Sequence, residues 1–202
     1  MSYSDFTIKQ VQNDFGLEIV ESSGIFSQIK PVELSEYLKI TLEENISLAV
    51  SINTEKAKSE LIISNILVEI RKIFDRKISF FSGIEFNIDK EKGLNGYCDF
   101  LVSLSPEQLF VKSPVITLVE AKNENMMGGL GQCIAEMIAA KIFNEQEGND
   151  TPSIYGTVTT GLFWKFIKLT GNIVQIDLKN YGIEDNPERI IGILSAMMTQ
   201  KA

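Results

Sequence analysis

Three residues combine type and spacing that could do chemistry: Asp99, Glu120 and Lys122. Val115-Ile116-Thr117-Leu118-Val119 reads as a buried strand and runs straight into Glu120-Ala121-Lys122. Successive strand side chains point to opposite faces, so Glu120 and Lys122 share one face and Ala121 takes the other. Upstream, Gly96-Tyr97-Cys98-Asp99-Phe100-Leu101-Val102 reads as a second apolar strand with a single carboxylate. Two such acids can hold a divalent cation, which polarises a phosphoryl oxygen and lowers the pKa of bound water. A lysine beside them can orient that water and offset charge developing in the transition state. The chemistry these residue types support is metal-assisted hydrolysis of a phosphodiester. Lys122 lies beside two acids and should stay protonated, which favours an electrostatic role over that of a free general base. The bland alternative is a surface salt bridge at a strand end, worth about 0–1 kcal/mol.

Composition narrows the choice. The 202 residues include no histidine. That removes Ser-His-Asp and Cys-His nucleophilic sites, histidine-ligated zinc and any imidazole base. Carboxylate, lysine, tyrosine and oxygen-ligated metal remain, and such ligands suit Mg2+ or Mn2+. The two cysteines, Cys98 and Cys133, have no repeated spacing and read as small buried apolar residues. Hydrophobic residues at 44% and charged residues at 23% give an ordinary globular balance, enough for one core. No apolar run reaches membrane-spanning length, and the first residues lack the basic and then apolar pattern of a secretory signal. The expectation is a soluble cytoplasmic protein with no membrane partner. A net charge of −8 counts against nucleic-acid binding, which leans on lysine and arginine. A local basic groove on an acidic body would reconcile the two.

The elements that must position these residues follow from periodicity. Residues 1–52 read as an N-terminal extension packed on the core, and 53–202 as the main domain. Ile8, Val11 and Phe15 have helical spacing, with Gly16 as the stop. Leu17–Val20 reads as a short strand, and a helix is expected to start near Pro31. A long amphipathic helix spans about 53–73, with Asn53 or Thr54 as its cap and Ala57, Leu61, Ser64, Leu67 or Val68, and Arg71 in step. Ile62, Ile63 and Ile66 widen its apolar face. Glu60 in this helix either sits solvated at the rim or points at the acidic site. Strands follow at 78–86, 96–104 and 114–121, then a glycine-bearing loop at 123–131 and a helix at 130–144. Further strands fall at 154–160, 163–169 and 173–178, and Asn186-Pro187 opens a last helix. The order implies an α/β (α+β) chain with a central mixed β-sheet flanked by helices on both faces.

Together, Asp99 on one core strand and Glu120-Ala121-Lys122 on the next resemble the PD-(D/E)xK nuclease superfamily over about residues 53–160. Cys98 stands where the superfamily's name puts proline. Glu55-Lys56-Ala57-Lys58-Ser59-Glu60-Leu61-Ile62-Ile63 is similar to the first helix of uncharacterised bacterial members. The resemblance implies a restriction-endonuclease-like core and Mg2+- or Mn2+-dependent cleavage of nucleic acid, with DNA the expected substrate. It implies that Asp99, Glu120 and the backbone carbonyl of Ala121 are metal ligands. Glu60 matches a first-helix glutamate common in the family and would hold a second cation or its water shell. Gln132 matches a glutamine found early in the following helix in some branches, where it would orient the attacking water or a phosphate.

Other features carry less. Met126–Gly131 lacks the Gly-Lys-Ser/Thr ending of a phosphate-binding loop. Arg71, Lys72, Arg76 and Lys77 either track a nucleic-acid backbone or complement a helix dipole. Phe163, Trp164 and Phe166 stack on bases or pack in a core. The Met- and Ile-rich last helix is core or a homodimer face. Two function classes compete with the active nuclease: a nuclease-fold protein that binds nucleic acid or a protein partner without cutting, and an acidic interaction module in which the motif is accidental.

Overall fold

Residues 1–200 of the chain are described by a computed structural model. Its strands are β1 (Glu18–Ser22), β2 (Ser79–Glu85), β3 (Tyr97–Ser103), β4 (Val115–Ala121), β5 (Ile154–Thr159), β6 (Phe163–Thr170), β7 (Ile173–Asp177) and β8 (Tyr181–Gly182). Its helices are α1 (Ile8–Phe15), α2 (Glu36–Ile52), α3 (Glu55–Lys58), α4 (Ser64–Ile73), α5 (Met126–Gln146) and α6 (Pro187–Met198). Between α3 and α4 the chain continues through a π-helical stretch, Ser59–Ile63.

One mixed sheet runs β1-β7-β6-β5-β4-β3-β2, with β8 beside β6. Strands β2, β3 and β4 form an antiparallel meander, as hairpin spacing in the sequence requires. Strand β5 then pairs parallel to β4, so a crossover must join them, and α5 supplies it. Apolar side chains form two clusters, one per sheet face. On one face the π stretch, α4 and α6 bury Ile62, Ile63, Ile66 and Ile70 with Ile190, Ile191, Ile193 and Met197. On the other, α5 and the N-terminal segment bury Cys133, Ile134 and Met137 with Phe6 and Val11. The expected mixed sheet with helices on both faces is what the chain forms.

Several local expectations hold for identifiable reasons. Helix α1 ends at Gly16, whose φ of 62° is left-handed. Asn186 caps α6 by accepting the Arg189 N–H at 3.0 Å, with Pro187 at the first helical position. Trp164 and Phe166 are wholly buried, and α6 packs into the core.

Other boundaries move. Residues 31–34 are not helical, and α2 starts at Glu36 because Ser35 caps it, accepting the Leu38 N–H at 3.3 Å. Ser35 is itself fixed by the buried Glu69, which accepts from its backbone N–H and its hydroxyl, each at 2.8 Å. Thr54 caps α3, while Asn53 belongs to the end of α2 with φ of 52°. The π stretch shifts the helix phase, so Ile62, Ile63, Ile66, Leu67 and Ile70 make the buried stripe, while Leu61, Ser64 and Arg71 sit at its margin.

The largest correction concerns residues 126–131, which are not a loop but the first turns of α5. The Asn125 side chain caps that turn, accepting the Gly128 N–H at 3.1 Å. Its glycines serve packing. A Cβ at Gly131 would lie 2.3 Å from the Phe6 carbonyl oxygen, and one at Gly129 would press on Lys122 and Val158. By length and composition α5 could cross a membrane, yet it is mostly buried between the sheet and the N-terminal segment, as a core helix is.

Candidate functional site

The site forms where β3 and β4 part. Their ladder ends at the pair Phe100–Val119. Two residues further, the Ala121 N–H faces β3 and finds no backbone acceptor. The Asp99 carboxylate takes that role, with Oδ2 accepting at 2.8 Å. This bond fixes Asp99 in the gap between the strands. The next amide, Lys122 N–H, faces the other way and donates to the Thr159 carbonyl of β5 at 2.8 Å. Lys122 therefore leaves the strand with its backbone held in sheet geometry.

Glu120 and Lys122 lie on one strand face, as alternation requires. The Lys122 ammonium donates directly to Glu120 Oε1. Glu120 is 1% exposed, so the pair is not the solvated surface bridge of the bland alternative. Gln132 reaches down from α5 and donates Nε2–H to Glu120 Oε2 at 2.8 Å and to Glu136 Oε1 at 3.1 Å. Its own Oε1 lies 3.4 Å from Lys122 Nζ. The other end of α5 is clamped to the same strand. Asn144 accepts the Val115 N–H and donates to the Val115 carbonyl, each at 2.7 Å. Helix α5 thus grips β4 at its first residue and at the acid before its last.

Negative charge exceeds positive charge here. Burial raises the Glu120 carboxyl to a pKa of about 8, and the Asp99 charge adds to that rise while Lys122 opposes it. Glu136 is wholly buried and is also pushed upward, first by burial and then by Glu120. Its Oε2 has no hydrogen-bond partner. Burial alone would depress the Lys122 ammonium, but Glu120 outweighs it and the net shift is upward. Lys122 is therefore a firm cation, as the sequence implied.

A cleft of about 320 Å³ opens beside Asp99, lined by Glu55, Lys56, Ser59, Glu60, Ser82 and Gly83 among others. Gly83 lies between the paired residues Ser82 and Ile84 and so stands opposite Asp99. Its φ of 61° calls for glycine, and a Cβ there would meet nothing within 4 Å. The π stretch brings Ser59 and Glu60 to the cleft wall. The Glu60 side chain is 64% exposed and pairs with Lys56 at 3.7 Å. Glu55, one turn earlier, is among the charges that act on both Glu120 and Lys122.

The structure thus brings Asp99, Glu120, Ala121, Lys122 and Gln132 together and sets Glu60 on the cleft wall. Sequence reasoning missed Glu136, Glu55 and Lys58. Glu136 had a signal, being the one acid inside the apolar stretch Cys133–Phe143 of α5. Lys58 had none. Its ammonium is buried and donates to Asn53 Oδ1 at 3.0 Å, to the Asn123 carbonyl at 3.0 Å and to Asn123 Oδ1 at 2.8 Å. It ties the end of α3, and Asn53 at the end of α2, to the residue after Lys122.

No three Asp, Glu, Cys or His groups among the described residues are arranged as a ready metal cluster. Both Glu120 oxygens are instead engaged by Lys122 and Gln132. No family model, curated protein or solved structure matches this chain.

Proposed function

We propose that this chain is a divalent-metal-dependent phosphodiesterase of the PD-(D/E)xK type, with a restriction-endonuclease-like core and DNA as its substrate. The observation that carries the reading is the convergence of Asp99, Glu120 and Lys122 where β3 and β4 part, beside an open cleft. The succession of α3/α4, a three-stranded antiparallel meander, α5 and a parallel β5 supports it.

The residues present fit a hard divalent cation. Every candidate donor is oxygen, and burial, with the neighbouring Asp99 charge adding to it, holds a proton on Glu120 near neutrality that a cation would replace. Asp99, Glu120 and the Ala121 carbonyl would hold the cation, with Glu60 or Glu55 serving a second cation or its water shell. When bound, Mg2+ or Mn2+ would supply Lewis acidity toward a phosphoryl oxygen and toward water. Lys122 offsets charge on the pentavalent phosphorus, and Gln132 keeps Glu120 oriented. Because Lys122 and a cation compete for Glu120 Oε1, loading would free the ammonium for the phosphate.

A second reading has its own observation. The engagement of both Glu120 oxygens favours a nuclease-fold binding module that does not cut. Cleavage of supercoiled plasmid and of labelled duplex with Mg2+ and Mn2+ separates the two. Activity in wild type that is lost in Asp99→Asn and in Lys122→Ala supports the enzyme. Equal residual activity in all three refutes it.

A further inference from the structure

A second cavity, of about 380 Å³, lies between the C-terminal end of α4 and β2, and Arg71, Lys72, Arg76, Phe80 and Gln108 help line it. Its two arginines are not consumed by the fold. The last carbonyls of α4 are already satisfied by backbone, with Phe74 N–H on Ile70, Asp75 N–H on Lys72 and Arg76 N–H on Arg71 at 3.1, 2.9 and 2.8 Å. The guanidinium groups are therefore not needed as helix caps. Among the described residues neither Arg71 nor Arg76 has a carboxylate within ion-pair distance. Arg71 Nε is buried without a hydrogen-bond partner. Arg76 is held in a left-handed conformation, φ 59°, which a non-glycine residue rarely adopts. Lys72 already touches Glu69 at 3.7 Å and lies over the Tyr37 ring at 4.1 Å. Gln108 is anchored by donating Nε2–H to the Phe80 carbonyl at 2.6 Å. On a chain of net charge −8, the half-buried Arg71 with its unpartnered Nε, beside the exposed Arg76 in the same cavity, makes a site suited to an anion.

The position indicates which anion. Both cavities are walled by the same helical run and the same strand: Ser59 and Ser82 at the carboxylate cleft, Arg71 and Phe80 here. Twelve helical residues separate Ser59 from Arg71, about 18 Å at 1.5 Å per residue. That length corresponds to roughly five phosphate steps along one strand of a B-form duplex. We propose that the Arg71–Arg76 cavity is a phosphate site, and that the phosphate it takes belongs to a nucleic-acid backbone lying along the groove between α3–α4 and β2. The second clause rests on the proposed function, and the first does not. The acidic body is thereby reconciled with a polyanionic ligand: grip comes from one basic pocket, set apart from the acids that cut.

The test uses the full chain with EDTA present, so that binding is read apart from cleavage. Fluorescence anisotropy with a labelled 20-base-pair duplex is compared for wild type, for Arg71→Gln/Arg76→Asn, and for Lys9→Gln/Lys30→Gln. The last variant removes the same charge from residues that do not line the cavity, and asparagine tolerates the left-handed φ at position 76. Circular dichroism verifies that each variant is folded. Inorganic phosphate is titrated calorimetrically in parallel. The expected result is a loss of duplex affinity of roughly tenfold or more in the arginine variant only. The dependence of log K on log salt should fall by about one for each lost phosphate contact. Loss of inorganic phosphate binding with unchanged duplex affinity would keep the phosphate site and overturn the backbone assignment. A wild type that binds neither ligand, or an arginine variant that matches wild type for both, would overturn the proposal. A wild type that binds the duplex through these arginines in EDTA but does not cleave it with Mg2+ or Mn2+ would fail the catalytic reading and leave this one standing.

Discussion

Replacing Glu120 with glutamine should abolish cleavage and yet stabilise the metal-free protein at alkaline pH. The reasoning starts from burial. Glu120 is 1% exposed, and its carboxyl titrates at about 8 rather than near 4.5. Between those values the folded protein holds a proton that the unfolded chain has released. Stability therefore falls as pH rises through that window. At about 1.4 kcal/mol per unit, a rise from 4.5 to about 8 sets a ceiling of about 5 kcal/mol on the stability lost by pH 8.5. The amide substitution removes the charge but turns a donor toward Lys122, whose side chain is 25% exposed and can move to water. About half the ceiling, roughly 2 kcal/mol, should then survive as net stabilisation. For a chain of this length that is a Tm gain of roughly 4–8 °C at pH 8.5, shrinking toward zero near pH 5. The assay is thermal unfolding followed by circular dichroism in EDTA, with Glu120→Gln and wild type compared across pH 5 to 9. Glu136 is pushed upward partly by Glu120, so the difference between the two curves reports Glu120 together with its coupling to Glu136. A variant less stable than wild type at every pH, with a parallel pH profile, would refute the reasoning.

Three further predictions follow from the same geometry. Gly131→Ala places a Cβ 2.3 Å from the Phe6 carbonyl oxygen and should lower stability by about 1–3 kcal/mol or more, read as a lower denaturation midpoint in urea with an unchanged m-value. Lys58→Met strands the Asn53 and Asn123 acceptors, so hydrogen exchange should quicken at residues 123–125 and cleavage should fall while α5 stays protected. Mn2+ affinity should rise with pH up to about 8, with close to one proton released per ion, because the cation must displace the proton on Glu120; calorimetry in buffers of different ionisation enthalpy measures it, and a pH-independent affinity would contradict it.

The β4 motif was readable because its signal is local. An acid-x-lysine at the end of an apolar run needs only strand alternation to share a face, and Glu120 and Lys122 do. Asp99 was readable as the lone carboxylate of its strand, but its bond to Ala121 N–H was not, since that depends on where two strands part. The start of α5 was misread because Gly128, Gly129 and Gly131 mark loops by propensity. Within the helix, Gly129 and Gly131 answer to packing, because Lys122, Val158, Phe6 and Thr7 approach too closely for a side chain, while Gly128 lies against the capping Asn125. Glu69 and Ser35 show the same limit: a contact across 34 residues decides where α2 begins. Lys58 carried no signal at all, since a lysine in a charged helical turn reads as solvated until tertiary structure closes over it.

The central claim is that Asp99 and Glu120 jointly hold a divalent cation where β3 and β4 part. Anomalous diffraction from crystals soaked in Mn2+ tests it most directly. The expected result is one Mn2+ with an oxygen from each carboxylate at about 2.1–2.2 Å and the Lys122 ammonium displaced from Glu120. A saturating soak with no anomalous peak between Asp99 and Glu120, and with the Lys122–Glu120 contact intact, would contradict it.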